Sequence, residues 1–73
     1  MAGPTVEELT VIAKAGGGFE LDANAYSAAD VLEFADNLYQ GSRLRIRNAV
    51  AWSVEDMALV AQTAPPGTAE FVF

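Results

Sequence analysis

The sequence predicts an α/β fold: three α-then-β units forming a three-stranded parallel sheet with helices on one face, a short solenoid. Three observations predict it. First, the text recurs. Aligned on Thr5, Ser27 and Ser53, the segments Thr5-Val6-Glu7-Glu8-Leu9, Ser27-Ala28-Ala29-Asp30-Val31 and Ser53-Val54-Glu55-Asp56-Met57 fall in register, and Ile12-Ala13, Phe34-Ala35 and Val60-Ala61 follow in step. Second, the apolar columns of each copy recur at i, i+3, i+6 and i+7, which is one face of a helix. Third, a Gly or Pro break after each copy leads into a short stretch alternating at period two. It is clearest where Leu44 and Ile46 interleave with Arg43, Arg45 and Arg47.

The first helix is predicted over residues 5–15. Thr5 can accept from an unpaired amide of the first turn and Glu8 can reciprocate, while Glu7 and Glu8 suit the positive end of the helix dipole. Gly16-Gly17-Gly18 stops the helix, and a strand follows at 18–22. A glycine-rich phosphate cradle has the opposite order, strand before loop and helix after it, so these glycines read as a helix stop. The second helix, 27–40, opens on Ser27 with Asp30 as the reciprocating acid, ends at Gly41 and feeds a strand at 43–48. The third, 53–63, opens on Ser53 with Glu55 and Asp56 in its first turn. It stops before Ala64-Pro65-Pro66-Gly67, and the last strand is 69–73. Pro4, Tyr26 and Trp52 precede the three caps, placed to staple onto Leu9, Val31 and Met57. The units are about 5–25, 27–51 and 53–73 within one domain, 1–73.

Helix-linked successive strands imply right-handed crossovers and parallel pairing. Alternation then points Phe19, Leu21, Leu44, Ile46, Phe71 and Phe73 at the helices. It points Glu20, Asp22, Arg43, Arg45, Arg47, Glu70 and Val72 away. With the arginine strand central, Glu20 faces Arg45, Asp22 faces Arg47 and Arg43 faces Glu70, cross-strand pairs that select order and register. The same arginines could clamp an anion on that open face.

Composition narrows the function. There is no Cys and no His, which removes disulfides, thiolate chemistry, activated serines and the usual zinc or iron ligand sets. Ten acids against four bases give a net charge of −6, which disfavours nucleic acid and anionic membranes as partners. No apolar run is long enough to cross a bilayer and no leader opens the chain, so the expected location is cytoplasmic. No cofactor and no enzymatic activity are expected.

Phe19-Glu20-Leu21-Asp22-Ala23-Asn24 is similar to the L-x-L-x-x-N strand segment of leucine-rich repeats, and the unit length of about 25 residues resembles their ribonuclease-inhibitor-like branch. That resemblance implies a right-handed α/β solenoid that binds partners through its surfaces. Solenoids ordinarily close their cores with polar terminal repeats, whereas this chain carries a repeat-like helix at one end and Phe71-Val72-Phe73 at the other. The expected function is a non-enzymatic module that self-associates through uncapped ends into a dimer, ring or filament, through Phe71, Val72 and Phe73 on one edge and Phe19 and Leu21 on the other. The alternative is an acidic adaptor or inhibitor that binds a basic protein. Val11, Leu32 and Leu59 flank the buried helix columns and are further candidate contacts.

Overall fold

Each unit starts where a hydroxyl folds back on its own first turn. In the computed structural model, which describes residues 3–73, Thr5 caps α1 (Val6–Lys14) and Ser27 caps α2 (Ala28–Ala35). Both make complete capping boxes: Thr5 Oγ1 accepts from the Glu8 amide at 3.1 Å and Ser27 Oγ from the Asp30 amide at 3.1 Å, and each acid accepts in return from the cap amide. Ser53 caps α3 (Val54–Thr63) in one direction, accepting from the Asp56 amide at 3.1 Å. Each helix feeds one strand: β1 (Phe19–Asp22), β2 (Leu44–Arg47) and β3 (Ala69–Phe71).

The sheet is parallel in the order β1-β2-β3, so the arginine strand is central. Its rungs are Phe19–Leu44–Ala69, Glu20–Arg45–Glu70, Leu21–Ile46–Phe71 and, between the first two strands, Asp22–Arg47. Leu21, Leu44 and Ile46 are buried beneath the helices with Leu9, Val31, Phe34 and Val60. Phe19 meets Phe34 edge-on at 5.5 Å, and Trp52 meets Phe71 edge-on at 6.4 Å.

Besides the last strand, which ends at Phe71 rather than at residue 73 and leaves Phe73 exposed instead of under the helices, two elements differ from the sequence expectation. The second helix stops at Ala35, not at Gly41, because the Asn37 and Leu38 amides bond back three residues and tighten the chain into turns. Asp36 and Asn37 are weak helix formers, and Leu38, which lies on the same i, i+3, i+4, i+7 face as Val31, Phe34 and Ala35, remains in the core beyond the turn. The second difference is a 3₁₀ turn, Ala49–Ala51, that follows β2 behind Asn48, whose φ of 56° is left-handed. That extra residue makes the loop of unit 2 longer than its counterpart in unit 1 and buries Ala49.

Units are tied to one another by side chains 22 to 26 residues apart. The Tyr26 hydroxyl donates to the Pro4 carbonyl at 2.6 Å, and Trp52 Nε1–H donates to the Tyr26 carbonyl at 3.2 Å. The residues before the caps therefore form a ladder in which each aromatic bonds the same position of the preceding unit. At the other end of the helix layer Ser42 Oγ donates to the Gly16 carbonyl and Gln40 Nε2 to the Pro66 carbonyl, both at 3.2 Å.

Two positions are sterically exacting. Gly18 lies where β1 joins β2, and a Cβ there would sit 2.7 Å from the Arg43 amide nitrogen. Thr68 is buried and its hydroxyl has no hydrogen-bond partner. Gly18→Ala is expected to destabilise the fold by about 1–3 kcal/mol by forcing the strands apart. Thr68→Val keeps the shape, removes the unpaired hydroxyl and is expected to stabilise by about 1 kcal/mol. Thermal unfolding of the two variants should move Tm in opposite directions.

Candidate functional site

Comparing equivalent positions across the three units locates what each end lacks. At the position of Ile12, Phe34 and Val60, the second and third residues are 0% exposed and Ile12 is 40% exposed. Units 2 and 3 each have a unit before them in the stack, and among the described residues none stands before Ile12. The opposite trend marks the far end. Ala13 and Ala35 are buried while Ala61 is exposed, and Val54 is 77% exposed where its counterpart Ala28 is buried. Val54, Ala58 and Ala61, spaced i, i+4, i+7, thus form a bare stripe along the flank of α3 that a following unit would cover.

The sheet ends in the same way. Thr68 and Val72 give their backbone groups to β2, so alternation leaves those of Ala69, Phe71 and Phe73 on the free edge of β3. Phe71 is half-buried against Trp52, Val72 lies at the surface and Phe73 is 78% exposed. On the other side, Phe19 and Ala23 donate to β2, which turns the backbone of Glu20 and Asp22 to the outer edge of β1, where the Asp22 carbonyl accepts from the Ala25 and Tyr26 amides. Leu21 is buried and presents nothing to an approaching strand, and Phe19 is half-buried against Phe34. The two edges therefore differ in the residues whose backbone faces outward, Ala69, Phe71 and Phe73 on β3 and Glu20 and Asp22 on β1.

The open sheet face brings its charged residues together: Glu20 with Arg45 and Glu70 with Arg43 pair as alternation draws them, Glu20 also takes Arg47, and Asp22 does not pair with Arg47. Glu20 holds two arginines, Arg47 Nε at 2.7 Å and Arg45 Nε at 3.8 Å. Glu70 stands in register with Arg45, and its carboxylate instead reaches Arg43 Nε at 3.5 Å. Asp22 lies across from Arg47 but accepts from the Asn24 amide at 2.8 Å and from Asn48 Nδ2 at 3.1 Å. The Asn24 amide, followed by the Asn48 side chain, holds the Asp22 carboxyl below its ordinary value of 3.8. The role of Asn48 was invisible in the sequence, because its left-handed backbone follows from the inserted residue and not from any motif. A shallow groove of about 510 Å³ runs beside Gly18, Ser42, Arg43 and Arg45, and Arg43 and Arg45 each have a carboxylate partner.

The remaining groups are committed or dispersed. Ser27 and Ser53 cap helices and Ser42 bonds Gly16. Among the described residues no three acidic side chains converge into a metal site, and no helix is long and apolar enough to cross a membrane. Val11 and Leu59 are exposed, yet they share their helix-back column with Glu33, which stands between them on α2, while Leu32 is half-buried. Charge is sharply segregated. Glu20, Asp22 and Glu70 balance the three arginines on the sheet face, so the net −6 resides on the helix layer, with Glu7, Glu8, Asp30, Glu33, Asp36, Glu55 and Asp56 against Lys14.

No protein-family model matches this chain, and neither a curated protein nor a solved structure matches it.

The Asp22 clamp has a measurable consequence. A carboxyl whose folded pKa is depressed contributes stability that is present above the unfolded value of 3.8 and is lost as pH falls through the lower folded value. Asn48→Ala removes one of the two donors. An NMR titration of Asp22 is expected to show its pKa rising toward 3.8, and the acid-unfolding midpoint is expected to move to higher pH.

Proposed function

We propose that the chain is a non-enzymatic interaction module that self-associates through the open ends of its repeat stack. The observation that carries this reading is the column comparison: Ile12 at one end, and Val54 and Ala61 at the other, are exposed where equivalent residues are buried by a neighbouring unit. A free strand edge flanked by Phe71 and Phe73 adds unpaired backbone groups at the α3 end. A one-sided stack of α-β units leaves both terminal flanks and one sheet face available to partners. The absence of His and Cys and the commitment of the serines to structure support a role without catalysis.

A second reading rests on the charge segregation: a helix layer carrying the whole net −6 suits a basic protein surface as partner. Salt separates the two. Adaptor binding to a basic partner weakens steeply as ionic strength rises, whereas apolar end association between like-charged copies does not.

Sedimentation across a concentration series is expected to show the mass rising above 7.7 kDa toward an integer multiple. Phe73→Glu, at an exposed position, should weaken that association at least tenfold while leaving the far-ultraviolet spectrum unchanged. A monomer persisting into the high micromolar range would remove the self-association reading.

A further inference from the structure

We propose that the association closes as a two-fold dimer through the α3–β3 end, with β3 antiparallel to β3 of a second copy, Phe71 opposite Phe71 and Ala69 opposite Phe73. This rests on the end-association reading and decides its geometry.

Charge rules on the alternatives. Extending the observed register by one strand would make β1 of the next copy the fourth strand, with its Glu20 beside Glu70 and its Asp22 beside Val72. Inside the molecule the rung reads acid, arginine, acid as Glu20–Arg45–Glu70, and a fourth strand that begins with another acid finds no arginine across from it. Like charges directly opposite are destabilising. Pairing two β1 edges antiparallel is no better, since it sets Glu20 against Asp22. In both of these pairings the β1 edge sets acid beside acid, in the way charged edges guard natural sheets. The antiparallel β3 pair has neither fault: Glu70 meets Val72.

Shape agrees with charge. In the two-fold arrangement Phe73 lies over Ala69 in the strands and Val54 over Ala61 in the helices, a large side chain on a small one each time, while Phe71, half-buried against Trp52, meets its own copy at the axis. Ala58 packs on Ala58 at the axis, where two small residues let α3 and its copy approach closely. The flanking Glu55 meets Gln62 of the second copy and not another acid. Such an isologous contact uses the same patch twice and stops at two. It also joins the two sheets into six continuous strands whose ends are the guarded β1 edges.

The chain has no cysteine, so engineered pairs report on geometry without background. On the free edge the outward backbone groups belong to 69, 71 and 73, so residues 70 and 72 face each other in a non-hydrogen-bonded pair. The Cα separation of about 4.5 Å in such a pair suits a disulfide. An equimolar mixture of Glu70→Cys and Val72→Cys proteins is expected to cross-link into one dimeric species under mild oxidation, and at least tenfold faster than Glu70→Cys mixed with Glu20→Cys. The untagged parent should stop growing at twice 7.7 kDa. Ala58→Arg, at an exposed axis position, should raise the dissociation constant at least tenfold without changing the fold. Faster cross-linking of the 70 and 20 pair, a mass climbing past the dimer, or an unaffected Ala58→Arg dimer would overturn the two-fold geometry and leave end association standing. A monomer at every concentration would overturn both.

Discussion

A helix-plus-strand unit of about 25 residues has one apolar face beneath its helix and two flanks that only another unit can cover. This constraint governs the molecule. Phe34 and Val60 are fully buried in units that follow another, while Ile12, at the equivalent position of the first described unit, is partly bare. The same logic exposes Ala61 and buries Ala13 and Ala35. Stability in such stacks is a sum over units and their neighbours, and with three units the two terminal flanks are a large share of the total.

The links between units show how that sum is assembled. Tyr26 and Trp52, each just before a helix cap, send their polar tips back to the preceding unit while their rings lie against the core cluster. The central strand carries the other set of links, its arginines reaching acids on both neighbours. Exposed pairs of this kind each contribute only about 0.2–1 kcal/mol. Their larger effect is on register, because a slip of one residue would drive Arg45 under the helices and Ile46 into water. Parallel sheets are usually covered on both faces, and the uncovered face here is a lattice of paired charges rather than an apolar surface.

The architecture was readable wherever a residue type acts locally. Ser and Thr caps fixed the helix starts, alternation fixed the sheet faces, and the three arginines marked the middle strand. What was not readable depended on reach and on small shifts of the backbone. Glu20 lies level with Arg45 yet holds Arg47 more closely, since a long guanidinium side chain spans a rung. Asn48 inserts one residue after β2, turns left-handed and takes the Asp22 carboxylate that alternation had given to Arg47. Leu21 alternates inward, as read, and that same burial removes it from the edge where it was counted as a contact. The bare flank at Val54, Ala58 and Ala61 became visible only when equivalent columns were compared for exposure, although the columns themselves were present in the text.

The division of charge between the two layers also sets how the molecule moves before it touches anything. With a balanced sheet face and all of the excess negative charge on the helices, it carries a permanent electric moment whose negative end lies in the helix layer, toward the first turns that hold Glu7, Glu8, Asp30, Glu55 and Asp56. In the field of a positively charged surface it would rotate as it diffuses inward and arrive helices first, with the arginine lattice turned back toward the solvent.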